Sequence, residues 1–70
     1  MLKIKNFINE NLNEFNQLEN SEVDQRNVNE FDNDVVDYLK NCFRQRYDYK
    51  DICVYYVEDK DEIWIENMGS

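Results

Sequence analysis

Carboxylates are the side chains with which this chain could do chemistry. It carries sixteen Asp and Glu against eight Lys and Arg, no histidine, and two cysteines. Nucleophilic catalysis needs a Ser, Cys or Lys held beside a base. With no histidine, and Ser21 the one serine in the body of the chain, the usual pairings cannot be assembled, and the sequence reads as a non-enzyme. The pairs Glu30/Asp34 and Asp34/Asp37 stand at helical spacing, but acid–base work requires an enclosed site that perturbs the carboxyl groups. On the convex face of a helix they read as surface. Asp32-Asn33-Asp34 and Asp59-Lys60-Asp61 cluster oxygens without the glycine turn and terminal glutamate of a calcium loop. Cys42 and Cys53 lack the Cys-x-x-Cys spacing and the histidines of a zinc site. They read as free thiols, with a disulfide as the second reading. No Gly-rich phosphate loop is present. No metal and no cofactor is therefore expected.

The grouping of the acids is the more informative pattern. From Glu10 to Asp37 nine acids are accompanied by Arg26 alone, and from Glu58 to Glu66 five acids by Lys60 alone. The formal net charge of −8 argues against direct nucleic-acid binding, because phosphate contacts demand a basic footprint. A basic protein is the expected partner, solubility of a small chain being the simpler account of the same charge. Lys40, Arg44, Arg46 and Lys50 interleave with Phe43, Tyr47 and Tyr49 in a way that resembles a nucleic-acid strip. Bases ending a helix, and interruption by Asp48 and Asp51, favour the plainer reading of a complemented macrodipole.

The elements that must carry these groups follow from periodicity. Over Asn27 to Tyr47, Val28, Phe31, Val35, Val36, Leu39, Cys42 and Phe43 fall within an arc of roughly 140°, the width of a core-facing helical stripe. Asn27 with Glu30 forms a capping pattern, so the sequence predicts one long helix here. Residues 3 to 19 predict a second helix through Ile4, Phe7, Ile8, Leu12, Phe15 and Leu18, weakened by its asparagines. Residues 20–26 read as a connector of ordinary length. From Ile52 the period changes to two, and Ile52–Val57 and Ile63–Ile65 predict a β-hairpin closed by a four-residue loop, Glu58 to Asp61. That register sets Val57 against Glu62 and Tyr55 against Trp64. Ile52, Val54, Tyr56, Ile63 and Ile65 then face the core, and Cys53, Tyr55, Val57, Glu62, Trp64 and Glu66 the other way. The second face is expected to be covered by the first helix, by a partner, or by a second copy of the chain; pairing along the hairpin edges is a further reading.

The expected fold is therefore α+β, two helices packed on a C-terminal two-stranded antiparallel hairpin, in one domain over residues 1–68. Gly69-Ser70 reads as a cloning remnant. A single domain of this size buries only about 60% of its unfolded surface, so a dimer or partner would help it. No apolar run approaches the ~20 residues of a membrane span, and residues 1–8 lack the pattern of a signal peptide. The expected location is the cytoplasm of a bacterial host. The bias toward Asn, Ile, Lys, Tyr and Glu is associated with AT-rich genomes.

The functional expectation is a small acidic inhibitor encoded by a phage or mobile element. It would mimic DNA at the basic nucleic-acid-binding site of a host defence or DNA-processing protein. Glu30, Asp34, Asp37, Glu58, Asp59, Asp61 and Glu62 are the candidate contacts, with Tyr55 and Trp64 as a second candidate patch. In size and charge the chain is similar to small acidic anti-CRISPR and anti-restriction proteins, a likeness of character carried by no shared motif. An immunity protein or antitoxin capping a basic toxin is the first alternative, and a homodimeric module using the hairpin face the second.

Overall fold

The computed structural model describes residues 2–69; Met1, and Ser70 of the suspected cloning remnant, lie outside the described residues. The element order is α1 (Lys3–Glu10), α2 (Leu12–Asn16), β1 (Asp24–Asn27), a 3-10 turn (Val28–Glu30), α3 (Asn33–Asn41), a second 3-10 turn (Phe43–Gln45), β2 (Arg46–Tyr49), β3 (Ile52–Val57) and β4 (Glu62–Asn67). The strands form one four-stranded antiparallel sheet in the order β1-β4-β3-β2. This corrects the expected two helices on a two-stranded hairpin. The hairpin is the centre of a wider sheet, and both of its edges are paired within the chain.

The β3–β4 hairpin has the register its alternation implies, with Val57 opposite Glu62 and Tyr55 opposite Trp64. On one face Ile52, Val54, Ile63 and Ile65, each 0% exposed, join Ile4, Ile8, Phe15, Val35, Val36 and Leu39 in a single core. All three helices lie on that face. The expected placement of the first helix over the opposite face is thereby corrected: the molecule has two layers, and among the described residues no helix lies over Tyr55 and Trp64.

The expected helix over residues 27–47 is replaced by four elements. Asn27 and Glu30 do form a capping box, with the Asn27 side chain accepting from the Asn29 amide and the Asn27 amide donating to Glu30. The box closes a 3-10 turn, however, and α3 starts afresh at Asp32, whose carboxylate accepts from the Asp34 amide. At the other end the chain leaves the helix at Cys42, and Arg44 and Gln45 take left-handed backbone angles (φ 59° and 53°). That reversal throws Phe43 out of the stripe in which its spacing placed it, leaving it 84% exposed. Nor is the segment from 3 to 19 one helix. Asn11 ends α1 by donating from its side chain to the Phe7 carbonyl, the competition with backbone bonding that makes Asn a poor interior residue.

Candidate functional site

The face of the sheet turned away from the helices is the one surface that gathers candidate residues from both patches. Its middle row runs Arg46, Tyr55, Trp64, Gln25 across β2, β3, β4 and β1. Tyr55 and Trp64 meet edge to face, their centroids 6.0 Å apart, as cross-strand aromatic pairs prefer. Each ring also fixes a carboxylate. The Tyr55 hydroxyl donates to Glu66 Oε1 at 2.8 Å, and Trp64 Nε1 donates to Glu62 Oε1 at 3.0 Å. Both acids are half-buried and so held in place rather than free to rotate. At the β2 side, Arg46 Nε donates to Asp48 Oδ1 at 2.9 Å.

Beneath these side chains lies Cys53, 1% exposed, opposite Asp48 on one strand and Glu66 on the other. Burial, with Asp48 beside it, pushes its thiol up to about 12. Burial and the bond to Glu66 push the Tyr55 phenol up to about 12 as well. Cys53 and Tyr55 are therefore both neutral near pH 7. Cys42 and Cys53 are both free thiols.

One rung beyond Trp64, the Val57–Glu62 pair leads into the loop carrying Glu58, Asp59 and Asp61, all exposed. Asp61 is tied back by the Tyr56 hydroxyl at 2.7 Å. Glu62 thus adjoins Trp64, and Glu58 and Asp59 continue from that rung into the loop, two rungs of one antiparallel face being about 7 Å apart, while Asp61 is held toward the helical side by Tyr56. Glu30 follows β1 at the same end of the sheet, since Asn27 is paired with Glu62. Asp34 and Asp37 are separated from this group. They lie on α3 in the helical layer, and Asp34 is matched by Lys3 Nζ at 2.7 Å.

Sequence reasoning placed the aromatic pair and the loop acids separately and missed what surrounds them. Gln25, Asn27, Arg46 and Asp48 join the face because β1 and β2 flank the hairpin. Arg46-Tyr47-Asp48-Tyr49 alternates polar and aromatic residues, a period-two signal hidden by its reading as a helix end. Asp24-Gln25-Arg26-Asn27 has no apolar residue and carries no such signal.

Among the described residues, no group of three or more His, Cys, Asp or Glu side chains is arranged to hold a metal ion. No described helix is long and apolar enough to cross a membrane. What the face can do chemically is present fixed carboxylates around two aromatic rings. No protein-family model, curated protein or solved structure matches the chain.

Proposed function

We propose that the protein is a non-enzymatic inhibitor, acting in the cytoplasm of a bacterium. It occupies the basic nucleic-acid-binding site of a defence or DNA-processing protein with the open face of its sheet and the adjoining hairpin loop. The supporting observation is the anchoring of Glu62 and Glu66 by Trp64 and Tyr55. Carboxylates already held in place lose little side-chain entropy on meeting a cationic surface, and Tyr and Trp are the residues that dominate interface energetics. The loop acids add the long-range field that speeds encounter with a basic site and makes it sensitive to salt.

The reading is narrower than a claim about net charge, and the test separates the two. Glu58, Asp59 and Glu62 reversed to lysine change the total charge by the same amount as Glu19, Glu22 and Asp37 reversed to lysine. The measurement is release of bacterial nucleic-acid-binding proteins from immobilised duplex DNA by the purified protein. The first triple variant should lose release at physiological salt, while the second keeps it. Equal loss of release in the two would reduce the effect to bulk charge, and release by both variants would end the proposal. Neutralisation of a toxin active site, without competition from DNA, would favour the immunity-protein alternative.

A further inference from the structure

Two features outside that face complement each other. The first is Phe43, 84% exposed, displayed by a turn in which Arg44 and Gln45 both take left-handed angles, φ 59° and 53°. The turn is secured by the Gln45 amide on the Cys42 carbonyl at 2.8 Å and by Gln45 Nε2 on the Lys40 carbonyl at 3.3 Å. Non-glycine residues in this region are strained, and such strain persists where surrounding bonds impose it. The Arg44 guanidinium lies 5.2 Å from the Phe43 ring and has no carboxylate within ion-pair distance among the described residues. In a chain with twice as many acids as bases, the one fully displayed aromatic side chain is accompanied by a cation.

The second feature is a groove of about 330 Å³ in the helical layer, lined by Phe7, Phe31 and Val35 together with Glu10, Glu30 and the Lys3–Asp32 ion pair. A cavity of about 150 Å³ already admits benzene, so the groove has room for a phenyl ring. Glu10 has no cationic partner among the described residues, so an arriving cation would find an unmatched carboxylate. Phe43 immediately precedes the turn into β2, and Glu30 and Phe31 follow β1. These are opposite edges of the sheet, so one molecule cannot fill its own groove.

We infer that a second copy of this chain is the occupant: Phe43 of one molecule seats in the Phe7/Phe31 groove of the next, with Arg44 against Glu10 and Glu30. The net charge of −8 opposes association at long range. Molecules measuring 29 × 27 × 22 Å have centres far beyond the Debye length of about 8 Å at physiological salt, so the overall repulsion is largely screened while the contact pairs are not. A contact with one aromatic anchor is small, and a dissociation constant of about 0.1–1 mM is expected. Knob and groove differ, so the contact is head to tail and need not close.

Sedimentation velocity across that concentration range should show the mean mass rising beyond a dimer. Phe43→Ala and the pair Glu10→Lys with Glu30→Lys should each sediment as a monomer with unchanged circular dichroism. Mixed, they should form a one-to-one heterodimer and go no further, because one supplies the groove and the other the knob. Should either variant fail to fold, Arg44→Glu, an exposed change, should raise the dissociation constant at least tenfold. A wild-type monomer throughout the range, Phe43→Ala assembling like wild type, or no heterodimer from the folded variants would overturn the inference. Assembly abolished by Trp64→Ala but not by Phe43→Ala would overturn it too, by assigning the contact to the open sheet face. None of these outcomes depends on whether the protein binds a basic partner.

Discussion

The Tyr55 hydroxyl reaches diagonally across the hairpin to Glu66 Oε1, 2.8 Å away, and the two side chains flank Cys53. Alkali should attack this arrangement first. Tyr55 and Cys53 titrate near 12 in the fold, against ordinary values of 10.0 and 9.0, chiefly because burial disfavours their anions. Both therefore bind protons more tightly folded than unfolded. Their contribution to stability is complete below pH 9 and is lost as pH rises through 12. Thermal unfolding should show a falling midpoint over that window. Tyr55→Phe should remove the tyrosine part of the slope, and at neutral pH it should cost about 0.5–1.5 kcal/mol for the lost hydrogen bond.

The same burial governs thiol chemistry. The thiolate is the reactive form, and Cys53 is both 1% exposed and displaced to a high pKa, whereas Cys42 is half-buried. Iodoacetamide at pH 8 should modify one thiol in the folded protein, identified as Cys42 by mass spectrometry, and two in denaturant. Equal labelling of both in the native state would contradict the packing over Cys53.

Arg26 is the polar residue with most at stake in the core layer. Its guanidinium lies 5.9 Å from the Phe7 ring and 5.5 Å from the Phe15 ring. Nε and Nη2 both donate to Asp24 Oδ2 at 3.1 and 2.9 Å. Arg26→Ala removes that cover and leaves Asp24 half-buried without its cation, for a cost of about 1–3 kcal/mol. Arg26→Lys should recover only a minor part, because an ammonium cannot reproduce the planar stacking. Urea midpoints for the two variants and wild type provide the comparison.

Asn67, 8% exposed, fastens the segment after α2 to the end of β4. Its Nδ2 donates to the carbonyls of Asn16 and Leu18 at 3.1 and 3.2 Å, and its Oδ1 accepts from the Gly69 amide at 3.1 Å. Asn67→Leu keeps much of the volume and removes all three bonds. It should therefore destabilise by about 2 kcal/mol and raise hydrogen exchange in residues 16–18 above that in the sheet.

What could be read beforehand was whatever rested on apolar periodicity over a stretch of sufficient length. Ile52–Val57 with Ile63–Ile65 gave the hairpin, its loop and the Tyr55–Trp64 contact. Val35, Val36 and Leu39 gave the buried face of α3. The failures arose where tertiary pairing overruled local pattern. β1 is a strand because Asp24 to Asn27 run alongside Ile65 to Glu62, not because those residues favour extended backbone. Phe43 sits at helical spacing from Leu39, yet the backbone reverses before it can be buried. The Asn27/Glu30 cap was correctly located and wrongly extended, since a capping box says where a helical turn starts and nothing about how long it lasts. For the candidate site, the rings and loop acids were visible, but the rest of the face needed β1, which leaves no signal, and β2, which leaves a weak one.

The turn from β2 into β3 also offers a stabilising change. Lys50 and Asp51 connect Tyr49 to Ile52, which are paired, and both carry positive φ, 50° and 64°. Two consecutive left-handed residues are the backbone of a two-residue type I′ hairpin, for which Asn-Gly is preferred. Lysine and aspartate accept this conformation at roughly 1 kcal/mol each. Replacing them with Asn-Gly relieves that strain. It forgoes the exposed bond from Lys50 Nζ to Asn9 Oδ1, which contributes a few tenths of a kcal/mol by comparison with surface polar pairs, and the Lys50 ammonium 5.4 Å from the Tyr49 ring, about 0.5 kcal/mol at an exposed site, and it loosens the unfolded chain at the new glycine by about 0.5–1 kcal/mol. The backbone bond from the Met68 amide to the Asp51 carbonyl needs no side chain and persists. The balance favours the double variant by a few tenths of a kcal/mol. A higher urea midpoint with an unchanged slope would register it as a gain in native stability; a lower midpoint would show that Lys50 or Asp51 contributes more through its side chain than its backbone loses.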